Sequence, residues 1–417
     1  MNRPCAIALA EPYAAAKAAA TPTFGRCAFY RVSLPNYTYD ILILGAGPAG
    51  TAAALALHGH GLRVALVDKA CFPRDKVCGD AIPGPTLTAI RRLSEAWYQE
   101  LRTVQPQASA AASRLFGPAG QELLIQWKKP TFNSPRQQFD DQLLQLVRRH
   151  TATTILEGYA VRDVHTSEQG VQLLSADASQ PPLTAQLLLA CDGANSVAVR
   201  KVLPRPLDRN YHCAAVRAYY TGLIGTDAHT SEFYFLRDYP AGYCWVFPVG
   251  EGVYNVGFGL LSAEVAARRV DMKQALRQLL REHPQLAPRF AAAQPLTEIT
   301  GFGLPLAGRK LPLAGSRCLL AGDAASLIDP LQGHGIDKAV ISGILAAEQA
   351  IRCFQQQNFS LAYLQNYERA VHQRLGRRLQ RSYRLMQLLA AWPALLRLGF
   401  WVAQRRPFQH WLIRLIG

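Results

Sequence analysis

Tyr39-Asp40-Ile41-Leu42-Ile43-Leu44-Gly45-Ala46-Gly47-Pro48-Ala49-Gly50 is the stretch that decides the fold. Its first six residues are too continuously apolar for a half-exposed strand and belong in the middle of a parallel sheet covered on both faces. Of the glycines that follow, the first permits a tight turn and the second lets the backbone approach a pyrophosphate. The third lets the next helix lie close to the strand. That helix, expected from Ala49 to about Leu57, aims its N–H groups and positive dipole end at the phosphate. Leu62-Arg63-Val64-Ala65-Leu66-Val67 is the return strand, and Asp68 closes it eighteen residues after Gly50, where a carboxylate can accept hydrogen bonds from a ribose. A bare glycine fingerprint also fits a structural turn in any α/β sheet. Here the strand, the helix and the acidic terminus are in register, which favours a dinucleotide. The carboxylate disfavours a 2′-phosphate, leaving FAD or NAD.

The chain has 417 residues, enough for a large core and two joined lobes. Its formal charge of +16 is high, but the basic residues gather late in the chain beside aliphatic ones. That pattern suits an anionic membrane surface better than nucleic acid. No apolar run reaches the roughly 18 residues of a spanning helix. Nine cysteines without a C-x-x-C pair point to a reducing compartment and argue against iron–sulfur or zinc ligation, so no metal site is expected. Residues 1–36, Ala-rich and with Glu11 as their one acid, are expected to be a disordered extension.

After Asp68, the run Lys69 to Asp80 is too polar and irregular for a core element. Arg74 and Lys76 could face phosphate or flavin oxygens, and Gly79 lets the backbone pass close to a ring. Cys78 is either an inert buried thiol or, in a basic loop beside a cofactor, a source of a proton. A helix is expected from about Leu87 to Arg102, then strands at Ser113 to Phe116 and Glu122 to Trp127. From Arg136 a helical stripe carries Phe139, Leu143, Leu144 and Val147. Leu187 to Cys191 is a buried strand ending at Asp192-Gly193, which is either an ordinary turn or a close-approach site for a ligand. From Asn210 to Leu260 the chain is β-rich and aromatic, as either a pocket wall or a plain core. A helical patch from Ala263 to Glu282 follows. A second strand-to-helix turn, Gly322-Asp323-Ala324-Ala325, precedes a helix from about Ile336 to Phe354 and is apt for a ribitol.

The stretches at 45–50, 192–193 and 322–323, in this order, resemble the FAD fold of para-hydroxybenzoate hydroxylase and its relatives. Within that group, Phe72-Pro73-Arg74-Asp75-Lys76-Val77-Cys78-Gly79, Asp329-Pro330-Leu331 with Gly333-His334-Gly335-Ile336, and Tyr243-Cys244-Trp245-Val246-Phe247-Pro248 with Gly257-Phe258-Gly259 resemble the geranylgeranyl reductase family. The likeness covers about residues 38–370. It implies an α/β fold, with a Rossmann-like FAD-binding domain made of residues 37–112, 136–200 and 301–355. A substrate-binding sheet domain, 113–135 and 201–300, is interleaved with it, and 356–417 form a C-terminal helical segment. The resemblance also implies that Gly45, Gly47, Pro48, Ala49, Gly50, Asp68 and Lys69 hold the ADP half of FAD, with Arg74 and Arg136 near the pyrophosphate. Gly322 and Asp323 serve the ribitol side, and Asp192 counts among the cofactor-binding residues. Cys78, Gly79, Pro330, Gly333, His334, Gly335 and Ile336 lie beside the flavin ring, Cys78 being the candidate catalytic residue. Tyr243, Trp245, Phe247, Pro248, Gly257 and Gly259 line a substrate cavity. The sequence departs from the family at Asp80, where many members have a second glycine, at His334, where glutamate is frequent, and by one extra residue between Ser196 and Arg200.

The implied activity is hydride transfer from reduced FAD to a carbon–carbon double bond of an isoprenoid or other lipophilic substrate. The electron donor is external, NAD(P)H or a ferredoxin-like carrier, since the chain has no second nucleotide fingerprint. Rival readings are an FAD-dependent monooxygenase of an aromatic or lipid substrate, and a flavin electron carrier to membrane quinone. Halogenation is disfavoured because no W-x-W pair exists. From Arg381 to Gly417, leucines and tryptophans are interleaved with arginines and broken at Pro393 and Pro407, as expected of basic amphipathic helices lying on a membrane from the cytoplasmic side. Helices capping the catalytic lobe are the alternative.

Overall fold

The structure is a computed structural model that describes residues 38–403. Expectations for residues 1–36, and for Arg405, Arg406, Pro407, Trp411 and Arg414, lie outside the described residues. Two sheets organise the chain. In the first, the strands Cys318–Leu320, Leu183–Ala190, Thr38–Leu44, Val64–Val67 and Thr154–Leu156 run parallel in that order. Ile41, Leu42 and Ile43 are completely buried, as a continuous apolar strand covered on both faces requires. The Pro48–Ala56 helix, with proline in its first turn, covers one face together with Arg136–His150 and Ile336–Gln355.

The second sheet has the order Gln294–Pro295, His212–Thr221, Val253–Leu261, Gly242–Gly250, Thr230–Phe235, Ala108–Phe116, Glu122–Asn133, Ala81–Ile82, with Thr300–Pro305 on the outer side of His212–Thr221. Its two faces explain the aromatic density. Alternate residues point opposite ways. Cys244, Val246 and Phe258 pack under the Met272–Glu282 helix, whereas Trp245 and Phe247, with Phe233 and Tyr243, form a separate cluster on the other face. The sheet therefore carries a core on one face and a second, smaller aromatic cluster on the other.

Several boundaries differ from the sequence reading. The helix expected over 87–102 is two, Gly84–Leu93 and Glu95–Leu101, because the extended Ser94 uses its hydroxyl to accept from Trp97 N and starts a new helix. The patch 263–282 is likewise split at Arg269, whose φ is +52°. Residues 81–82, 108–112 and 301–305 belong to the second sheet rather than the first. Cys78, Cys191, Cys213, Cys244, Cys318 and Cys353 are free. The C-terminal helices are Leu361–Val371, Arg377–Ala391 and Pro393–Ala403, with a 107° bend before Pro393 where the break was expected.

Candidate active site

Strand registers place Leu44, Val67, Ala190 and Leu320 level with one another, so four loops leave the same edge of the parallel sheet. This carboxyl edge is where open α/β sheets bind ligands. Gly45 has φ +101°, and a Cβ there would stand 2.4 Å from the Cys191 carbonyl oxygen; at Gly50 it would stand 1.9 Å from the Gly45 carbonyl oxygen. Gly47, by contrast, is open except for Arg74 Nη2, which a Cβ would meet at 3.7 Å. No side chain caps the Pro48–Ala56 helix and no acid stands in its first turn. Uncapped amides, an unobstructed glycine and a guanidinium are the donor set that a pyrophosphate requires. The second turn is held beside the first by contact close enough to exclude side chains: a Cβ on Gly343 would lie 2.1 Å from the Ala49 carbonyl oxygen. Gly322, at φ +63°, sits between Ala49 and Ala339.

The carboxylates of these loops serve the loops first. Asp68 Oδ2 accepts from Ala46 N and its Oδ1 from Ala70 N, both at 2.8 Å, so it fixes the glycine turn and keeps lone pairs for a ribose. Asp192 Oδ2 caps the Val197–Val202 helix through Val197 N at 2.6 Å, while its Oδ1 has no partner among the described residues. The turn reading thus holds for one oxygen, and burial raises the Asp192 pKa. Asp323 is paired with Lys76 Nζ at 2.8 Å. Lys69 is exposed.

Arg136 is buried, with Nε and Nη2 both 2.6 Å from Asp140, and it also reaches the Cys78 side chain. Burial alone would tend to discharge it, but Asp140 outweighs that effect and holds the guanidinium above its ordinary pKa. Arg74, 2.9 Å from Asp140, is the arginine that stands at the glycine turn.

Between these parts runs the Cys78-Gly79-Asp80 segment. Asn255 Nδ2 donates to the Cys78 carbonyl at 2.7 Å, and a Cβ on Gly79 would meet Phe247 at 3.1 Å and Trp245 Nε1 at 3.4 Å. Asp80 has φ +65°, which gives a physical reason why glycine is favoured there. Its carboxylate compensates by accepting from Tyr219 Oη at 2.6 Å, Asn255 Nδ2 at 2.7 Å and Arg136 N at 3.2 Å. Desolvation pushes the Asp80 pKa up to about 6 against the opposing pull of Arg217, itself paired with Asp75 at 2.6 Å. The sequence reading missed Arg217 and Asn255. The available signal was a charge and an amide inside otherwise apolar strands, which buried positions do not hold without partners.

The aromatic wall depends on small residues opposite it. A Cβ at Gly257 would lie 2.2 Å from the Trp245 ring, and one at Gly259 would lie 3.7 Å away, so the G-x-G pair makes room for the indole. Trp245 Nε1 donates to Asn255 Oδ1 at 2.9 Å, and Pro248 contributes its carbonyl to Asn133. Tyr243 Oη donates to the Gln332 carbonyl at 3.0 Å, tying the wall to the loop before the long helix. In that loop Asp329 Oδ1 accepts from Leu331 N and Gln332 N, Pro330 starts the turn, and Gly333 has φ +71°. His334 Nδ1 lies 2.8 Å from Asp337, which also binds Lys338 Nζ at 2.7 Å. His334 and Lys338 together overcome burial and hold the Asp337 pKa at about 2. Gly335 is the uncapped N-cap of the Ile336–Gln355 helix. Among the described residues no group of His, Cys, Asp or Glu could hold a metal.

An adenine-nucleotide cradle at the carboxyl edge, a second glycine–aspartate turn and a separate sheet carrying an aromatic wall define a flavoprotein of the para-hydroxybenzoate hydroxylase type. The sequence matches the family described as FAD binding domain over residues 38–381. It is 32% identical to menaquinone reductase from Mycolicibacterium smegmatis over 75% of this chain and 76% of that one. It is 28% identical to digeranylgeranylglycerophospholipid reductase from Thermoplasma volcanium, over 85% and 88% of the two chains. A geranylgeranyl bacteriochlorophyll reductase-like protein from Thermoplasma acidophilum superimposes with a TM-score of 0.73 at 26% identity, over 85% of this chain and 88% of that one. The chain belongs to the geranylgeranyl reductase family of FAD-dependent oxidoreductases.

Proposed function

We propose that this protein saturates carbon–carbon double bonds in the polyprenyl chain of an isoprenoid lipid or quinone. One observation carries the reading: the Cys78-Gly79 segment is pressed between the Arg136–Asp140 pair and the Trp245–Phe247 wall. A wall of Tyr243, Trp245 and Phe247 offers an alkene apolar contact without a charge to compete for it. Gly45, Gly47, Gly50, Arg74, Gly322 and Asp323 are the residues that would hold FAD, and bound FAD, once reduced by an external donor, supplies the hydride for one alkene carbon. The Cys78 thiol gives its proton to the other carbon, and water restores that proton afterwards. Arg136, kept charged by Asp140, stabilises the thiolate left between the two steps. The relatives' names support the class of substrate, since menaquinone and digeranylgeranyl lipids share polyprenyl chains.

The test is anaerobic turnover with chemically reduced enzyme and a polyprenyl quinone or a geranylgeranyl lipid, read by mass spectrometry. The expected product gains two hydrogens for each bond reduced. Oxygen consumption with an oxygenated product would replace this reading by a monooxygenase, and donor oxidation with no altered organic product would replace it by an electron carrier. Cys78→Ala should lower alkene reduction by about 100-fold while FAD content stays constant. Unchanged turnover would remove the cysteine from the mechanism.

A further inference from the structure

The Pro393–Ala403 helix is apolar on two opposite faces. One face, Leu396, Phe400 and Ala403, packs on Leu123 and Ile125 of the second sheet, and Phe400 meets Phe235 edge-on at 5.8 Å. Phe235 in turn lies 6.2 Å from Tyr243 of the aromatic wall. The other face carries Leu395, Leu398 and Trp401, with Trp392 just before it; Trp392 is 65% exposed, Leu398 53% and Trp401 54%. Large apolar side chains grouped on one open face are uncommon on a surface that meets only water.

The preceding helix supplies charge on an open side of its own. Arg377, Arg381 and Arg384 recur at intervals of four and three residues, so they share one side of the Arg377–Ala391 helix, and Leu388 continues the row. All three are exposed, and none forms an ion pair among the described residues. No acidic residue occurs anywhere after Glu368.

From this arrangement we infer that the bent pair Arg377–Ala391 and Pro393–Ala403 is a docking surface for an anionic lipid bilayer. Trp392, Leu395 and Leu398 enter the headgroup boundary and the arginine row meets the lipid phosphates. No single helix among the described residues is long and apolar enough to cross a membrane, and the part of the second helix from Pro393 to Ala403 spans about 16 Å, roughly half the hydrocarbon core. Nucleic acid would use the arginines but would leave the leucines and tryptophan wet. A second copy of this chain would bring one unneutralised arginine row against another. A lipid surface satisfies both halves of the patch. The inference also gives the reductase reading a geometry, because the buried side of the same helix touches the sheet that carries the aromatic wall.

The test is flotation of full-length, FAD-loaded protein with phosphatidylcholine vesicles, with and without phosphatidylglycerol, at low and high salt, in the absence of any substrate. Its outcome is therefore separate from whether alkenes are reduced. The expected result is binding to the anionic vesicles that weakens with salt. Each Arg→Gln change at 377, 381 or 384 should lower partitioning about fivefold at low salt. Leu395→Ser with Leu398→Ser should lower it at least about tenfold at any salt. Flavin absorbance reports folding, and should the leucine variant misfold, the arginine variants decide alone, since they alter exposed side chains only. Three results would overturn the inference: absence of binding to anionic vesicles, binding indifferent to both sets of changes, or retention of a DNA fragment in place of vesicles. A dimer that the leucine changes dissolve, without vesicle binding, would assign the face to self-association instead.

Discussion

The nucleotide cradle and the aromatic wall solve opposite problems. At the cradle the contacts are backbone to backbone, at positions where a single methyl group has nowhere to go: a Cβ at Gly50 would sit 1.9 Å from a carbonyl oxygen and one at Gly343 2.1 Å from another. At the wall the contacts are between side chains, and the polar atoms behind it form one chain through Trp245, Asn255, Asp80 and Tyr219. Backbone contacts admit one residue type at each position. Side-chain contacts admit substitution at graded cost, so the wall tolerates changes that the cradle does not.

The largest expected effect is therefore at the cradle. Gly50→Ala must push apart the turn and its strand, with a loss of several kcal/mol shared between folding and FAD retention. The ratio of flavin to protein absorbance after purification measures this, and a variant that keeps its full flavin content would break the comparison. Next in size is Gly257→Ala, which collides with the Trp245 ring at 2.2 Å. FAD content should stay near normal, while alkene reduction falls by about tenfold or more as the indole is displaced. Equal losses of flavin and of turnover would show that wall and cradle are one unit.

The same contrast explains how much was legible. Gly45, Gly47, Gly50 and Asp68 were readable because glycine spacing reports backbone geometry directly, and the level ends of the parallel strands follow from it. The two-faced aromatic sheet was legible only as composition, because the pairing that decides which residues face inward, such as Tyr219 opposite Asn255, is long-range. The Arg136–Asp140 pair was legible only in part for a related reason: the two stand one helical turn apart in the sequence, yet what the pair faces depends on tertiary packing. The split at Ser94 was local, and its capping hydroxyl could have announced it.

Asp80 supplies a pH test of moderate size. Its carboxyl titrates at about 6 in the folded protein against an ordinary 3.8, so the native state holds the proton more tightly than the unfolded chain does. That contribution is complete below about pH 4 and disappears as the pH rises through 6. It amounts to at most roughly 3 kcal/mol, an upper limit for so buried and coupled a group. Asp80→Asn keeps an amide in place of the acid and should flatten the difference in urea midpoint between pH 5 and pH 7.5. An identical pH dependence in variant and parent would mean that the carboxylate stays charged throughout.

The smallest effect sharpens where the two regions meet. Tyr243 belongs to the wall, but its hydroxyl donates to the Gln332 carbonyl of the loop that leads into the long helix behind the cradle, and a Cβ on Gly333 would press against that same oxygen at 2.2 Å. Tyr243→Phe removes one hydrogen bond and keeps the ring, a change on the order of 1 kcal/mol. If the bond merely braces the fold, the variant loses about that much stability and its kinetics do not change. If it holds the 330–335 loop in register with the wall, KM for the prenyl substrate should rise about fivefold while FAD content and the rate of flavin reduction by the external donor stay fixed, because Gln332 and Gly333 lie on the side of the loop that faces Tyr243.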